Sequence, residues 1–163
     1  MAAFPQLIEE DFELFKASLE RLRSSSRADL ILLVEKAGYL IHQTGEIENV
    51  DSTQLAALAS NCFNATLFIA SLIREENFNT MYQQGDSTSM LILNVDDHCL
   101  IVALFDASIS AGSVRFYAAS AIEAIASQLA RAGERNPEGA ISIVDMNPTD
   151  IRDVFQRRSA DPA

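Results

Sequence analysis

The sequence predicts an α+β domain: a five-stranded antiparallel sheet packed with three helices, in the order αββαβββα, followed by a short C-terminal helix. Two kinds of pattern predict it. Three long stretches repeat apolar residues every three or four positions, as a helix with one buried face does, and five short apolar runs lie between turn residues, as strands do. A third observation sets the topology: the connections between successive runs are short, so neighbouring strands join as hairpins and pair antiparallel. With 163 residues, 48% of them hydrophobic and 21% charged, the chain is sized for one core and has enough apolar surface to offset its ordering entropy.

The first stretch, Ile8 to Leu22, places Phe12, Phe15, Leu19 and Leu22 on one face with Glu, Lys and Arg between them, and Ser24-Ser25-Ser26 is expected to end it. The acidic run Glu9-Glu10-Asp11 then falls in the first turn, where the helix dipole favours negative charge, and reads as solvated. Asp29 to Glu35 reads as a buried strand, Lys36-Ala37-Gly38 as a turn, and Tyr39 to Gln43 as the returning arm.

Asp51-Ser52-Thr53-Gln54 offers capping oxygens ahead of a long helix from about Ser52 to Arg74. Its main stripe of Leu55, Leu58, Ala59, Cys62, Ala65, Ile69, Leu72 and Ile73 is expected to face the sheet. Phe63, Leu67 and Phe68 lie off that stripe, which implies a second apolar surface needing a cover.

Three strands follow at Asn79 to Gln84, Thr88 to Asn94 and Cys99 to Asp106, with turns at Gly85-Asp86 and Asp96-Asp97. The last main helix runs from about Gly112 to Arg131, carries Val114, Phe116, Ala121, Ile122, Ile125 and Leu129, and is expected to stop at Gly133. The boundaries are therefore residues 1–133 for the domain, 134–146 for a polar linker and 147–163 for the tail. In the tail, Asn147-Pro148 reads as a helix start and Ile151, Val154 and Phe155 share one face, which docks either on the chain's own domain or on a partner.

The net charge of −11 argues against nucleic acid and anionic membrane surfaces as partners, because phosphate-rich surfaces would be repelled. No apolar run is expected to reach the ~20 residues that cross a bilayer. Cys62 and Cys99 both read as buried, reduced thiols, and the start of the chain lacks a secretory pattern, so a cytoplasmic location is expected.

Catalytic chemistry finds little footing. Asp96-Asp97-His98-Cys99 gathers metal-ligand types, yet adjacent residues on a tight hairpin point to alternate faces, so the run reads as a solvated turn and no metal site is expected. His42 is the other histidine, and neither it nor His98 sits in a nucleophile motif. The six glycines form no phosphate-binding pattern, and no cofactor is expected.

Three stretches carry a resemblance: LILLVEKAGYLI, ENVDSTQLAALA leading to SLIREENF, and LIVALFDASISAGSVRF. In register along Phe12 to Leu129, they resemble the Roadblock family, and most of all its bacterial MglB-like members, which implies an α/β sandwich with one long helix on one face of the sheet and two helices on the other. The ending IRDVF is similar to theirs as well. The resemblance implies a non-enzymatic homodimer, GTPase-activating co-regulator of a small Ras-like GTPase of the MglA type in cell polarity or motility, with recruitment to a cell pole. It implies a dimer interface at Phe63, Leu67, Thr80, Met81, Tyr82, Gln83 and Gln84, where the third strand pairs with its twofold mate. It also implies a partner-binding face at Ala57, Asn61, Asn64 and Phe68, with Ile151, Val154 and Phe155 as an accessory contact. A Roadblock scaffold that binds no GTPase is the alternative.

Overall fold

The computed structural model describes residues 3–135; residues 136–163 lie outside it, and with them the expected tail contacts Ile151, Val154 and Phe155. Helix α1 spans Glu9–Ser26, strands β1 and β2 span Leu30–Glu35 and Leu40–Gly45, and helix α2 spans Ser52–Leu72. Strands β3, β4 and β5 span Thr80–Gln83, Thr88–Asn94 and Cys99–Asp106, and helix α3 spans Ala111–Arg135. The strands form one antiparallel sheet in the order β2-β1-β5-β4-β3, so β2 and β3 are its edges.

The order arises because β1 and β5, the most continuously apolar strands, pair in the centre, from Leu30 opposite Leu104 to Glu35 opposite Cys99. Side chains alternate across the sheet and divide the core in two. Ile31, Leu33, Leu91, Leu93, Ile101, Ala103 and Phe105 pack against Phe15, Leu19 and Leu22 of α1 and Val114, Ala118, Ile125 and Leu129 of α3. On the other face Leu30, Leu32, Val34, Ile92, Leu100 and Val102 pack against Ala56, Ala59 and Phe63 of α2. The expected placing of one helix on one face and two on the other is therefore what the chain adopts.

Two helix ends depart from expectation for identifiable reasons. Helix α1 continues through the serines because Ser24 and Ser26 hydroxyls donate back to the carbonyls of Glu20 and Leu22 at 2.9 and 2.7 Å; Arg27, at φ 58°, ends it instead. Helix α3 runs past Gly133 to Arg135, so the first two positions of the expected linker are helical. The cause is Asp11. It is wholly buried, accepts from the Ile8 N–H at 2.8 Å and from Gln128 at 2.6 Å, and receives Arg135 on both carboxylate oxygens at 2.6 Å. Burial pushes this carboxyl up, but the Ile8, Gln128 and Arg135 donors outweigh it and hold it below the ordinary carboxylate value. Glu9 and Glu10 are exposed as expected, whereas Asp11 caps α1 from a buried position and pins its start to the end of α3.

Other single positions are also corrected. Phe116 of α3 points to solvent, and Ala118 takes its place in the core. Cys99 is buried as expected, and burial pushes its thiol up so that it stays protonated, whereas Cys62 is exposed. Helix α2 is long and apolar enough to cross a bilayer by length and composition, contrary to the reading of its sequence.

Candidate functional site

The largest departure is the face that α2 presents. Its sheet-facing side is Ala56, Ala59, Ser60, Phe63 and Ala70, with Leu55 and Leu67 half-buried beside them. Most of the stripe assigned to the sheet faces outward: Leu58, Cys62, Ala65, Ile69, Leu72 and the capping residue Ile73 are exposed, Leu72 at 82%. The helical period was legible and the phase was not, because α2 is apolar on most of its circumference and a periodic pattern alone cannot choose between two apolar faces. Small Ala56 and Ala59 lie against the sheet because they let the helix backbone approach it closely.

Phe63 is corrected with the phase. It is 1% exposed within the core of its own chain and offers no surface to another. Leu67 packs half-buried against the same cluster. Among the described residues, the exposed apolar line along α2 is instead Leu58, Cys62, Ala65, Ile69 and Leu72, spaced alternately by four and three residues, as in a helix that packs along another helix.

Ala57, Asn61, Asn64 and Phe68 do share a flank of α2, but they are not equivalent. Asn61 is exposed and Phe68 is 75% exposed. Ala57 and Asn64 are half-buried under the β1–β2 turn. The Lys36 carbonyl accepts from the Ser60 hydroxyl and from Asn64 Nδ2, the latter at 3.0 Å. Gly38 has φ 102°, and a Cβ on it would lie 3.4 Å from the Ala57 Cα, so the turn rests directly on the helix.

Lys36 was read only as part of a turn and proves to be its anchor. Its Nζ donates to the Asp96 carbonyl at 2.6 Å and lies 5.9 Å from the Phe63 ring centroid, while its N–H donates to the His98 carbonyl at 2.8 Å. Burial draws its pKa below the ordinary lysine value, against the opposing pull of Asp96 and Asp97. Asp96 closes its own turn by accepting from the N–H groups of His98 and Cys99, both at 2.8 Å. The run Asp96 to Cys99 is thus a hairpin closure, and among the described residues no cluster of three or more His, Cys, Asp or Glu side chains could hold a metal ion.

On the far edge of the sheet, Thr80 and Met81 of β3 are half-buried and Tyr82 and Gln83 exposed; Gln84 follows the strand and is exposed too. Tyr82 stacks on Phe105 with ring centroids 6.5 Å apart. Among the described residues strand β3 pairs with β4 alone, so its outer backbone groups form an edge that none of them pairs.

The fold compares closely with three solved structures. Myxococcus xanthus MglB matches with a TM-score of 0.73 and 29% identity over 78% of this chain and 96% of that one. An MglB described as having a tetrameric arrangement matches at 0.72 and 23% identity, over 81% and 99%. The gliding protein MglB of Thermus thermophilus matches at 0.71 and 22% identity, over 80% and 99%. Among curated proteins, no sequence relative matches. The model of the Roadblock/LC7 domain family matches residues 14–105, more than half of the chain, and with the sheet order, the flanking helices and the MglB likeness it follows that the chain belongs to the Roadblock/LC7 domain family.

Proposed function

We propose that this chain is a homodimeric co-regulator of a small Ras-like GTPase of the MglA type, raising GTP hydrolysis without contributing a catalytic residue and serving cell polarity or motility. It would work in the cytoplasm, with recruitment to a cell pole. The observation that carries the reading is the uncovered face of α2, where Leu58, Ile69, Leu72 and Phe68 are exposed on a helix whose other side is committed to the sheet. Apolar side chains of this size each contribute about 1.5–3 kcal/mol when covered, so such a surface on a water-facing domain marks an interface. The likeness to Myxococcus xanthus MglB supports the kind of partner.

In this reading two copies join through the β3 edge and the outward stripe of α2, which replaces the expected Phe63 and Leu67. The GTPase then binds the flank carrying Asn61 and Phe68, and the dimer holds the GTPase's switch loops in a hydrolysis-competent state because it binds that state best. The test is GTP hydrolysis by an MglA-type GTPase with and without the full chain. Acceleration together with a GTP-state complex supports activation; a complex without acceleration, or no complex, rejects it.

The scaffold reading has its own observation. Ala57 and Asn64 are taken up by the β1–β2 turn, which leaves Asn61 and Phe68 as the freely accessible members of the expected flank. A dimer that binds other proteins but no nucleotide-loaded GTPase is the outcome that favours it.

A further inference from the structure

We infer that Tyr39, at the tip of the β1–β2 hairpin, is an anchor residue for the GTPase; this deepens the proposed function and rests on it. Tyr39 is 70% exposed, the most exposed tyrosine among the described residues. A lone exposed aromatic carries no meaning by itself. What distinguishes this one is how its backbone is held.

The hairpin tip is fixed from several sides. The Glu35 N–H donates to the Tyr39 carbonyl at 2.8 Å and the Gly38 N–H donates to the Glu35 carbonyl at 2.7 Å, which closes the turn. Ser60 and Asn64 of α2 both donate to the Lys36 carbonyl, and Gly38 lies against Ala57. Lys36 in turn is tied to the β4–β5 turn through the carbonyls of Asp96 and His98. Two hairpins and the middle of α2 therefore converge on a four-residue turn whose one large aromatic side chain is left in solvent.

Each of these ties also serves a binding anchor. A pre-positioned backbone loses little entropy on association, and a tyrosine side chain adds a large rigid apolar surface with only two rotatable side-chain bonds. Its hydroxyl keeps it soluble in the free dimer and can hydrogen-bond a partner, the combination that makes tyrosine common among binding hot spots. The turn lies on the stretch of α2 that bears Asn61, so Tyr39 extends the flank where two of its expected members, Ala57 and Asn64, are covered.

The experiment measures binding of the full chain to an MglA-type GTPase loaded with a non-hydrolysable GTP analogue, for the natural protein and for Tyr39→Ala, Tyr39→Phe and Tyr117→Ala. Tyr117 is an exposed tyrosine of α3, on the opposite face of the sheet. The expected result is a loss of affinity of at least tenfold for Tyr39→Ala, a smaller loss for Tyr39→Phe, and no change for Tyr117→Ala, with melting temperatures within a degree or two of the natural protein. Unchanged affinity for Tyr39→Ala overturns this inference and leaves the proposed function standing. No binding by the natural protein overturns the proposed function, and this inference with it.

Discussion

Asn64 Nδ2 donates to the carbonyl of Lys36 at 3.0 Å and so ties the middle of α2 to the β1–β2 turn. This separates Asn64 from Asn61, one turn away and free in solvent. A net hydrogen bond of this kind contributes about 1 kcal/mol. Asn64→Ala is therefore expected to lower unfolding free energy by about that amount, with the Ser60 donor retained, while Asn61→Ala changes it by less than ~0.5 kcal/mol. Urea denaturation checks the pair, and equal effects would mean the tie is not held in solution.

Phe63 and Phe68 make the sharper contrast, since one is sealed in the core and the other stands in solvent. Phe63→Ala opens a cavity against the sheet and removes the ring beneath Lys36, for an expected loss of about 3–5 kcal/mol. Phe68→Ala is expected to leave monomer stability within about 0.5 kcal/mol and to weaken association with the partner. Thermal melts alongside binding measurements separate the two.

The outward stripe of α2 predicts self-association. Replacing Ile69 with Asp puts a charge in the middle of that stripe without touching the sheet-facing side, and is expected to shift a dimer to monomer. Sedimentation at several concentrations reads the change. A variant that stays as dimeric as the natural chain places the second copy elsewhere.

Asp11 predicts a pH dependence. Its folded-state pKa lies below the ordinary value, so its contribution is present above the unfolded pKa of about 4 and is lost as pH falls through the folded pKa. The natural protein is expected to lose melting temperature below about pH 4 more steeply than Asp11→Asn does. At neutral pH that variant is already destabilised by about 2 kcal/mol, because Arg135 loses its charge partner and one amide replaces an acceptor oxygen. Parallel slopes in acid would show that other carboxylates dominate.

Gly45 is fixed by geometry. It sits at φ 78°, and a Cβ there would lie 2.1 Å from the Asp29 carbonyl oxygen, a backbone atom that cannot swing aside. Gly45→Ala is expected to cost more than about 2 kcal/mol and to reduce soluble yield, read by denaturation of the purified variant.

The strands and their hairpin pairings were legible in the sequence, because hairpin connections and short apolar runs are local features that the tertiary structure had no reason to override, whereas the long-range pairing of β1 with β5 was not. Strands β4 and β5 begin and end where the residue pattern puts them. Burial in α1 was legible at Phe15, Leu19 and Leu22, where polar residues mark the opposite face. On α2 they do not, and the alanines that seat it on the sheet look no different in sequence from the leucines left outside.

What tertiary structure decided was phase and long-range partnership. Only the packed fold could choose which apolar face of α2 meets the sheet, since the larger aliphatic side chains lie on the outward face and the choice turns on how closely small side chains let the backbone approach. Only it could bring Arg135 to Asp11 across the sequence, carrying α3 past a glycine that would end an isolated helix, or set the Lys36 carbonyl against Ser60 and Asn64. These contacts join residues far apart in the chain, and no local pattern records them.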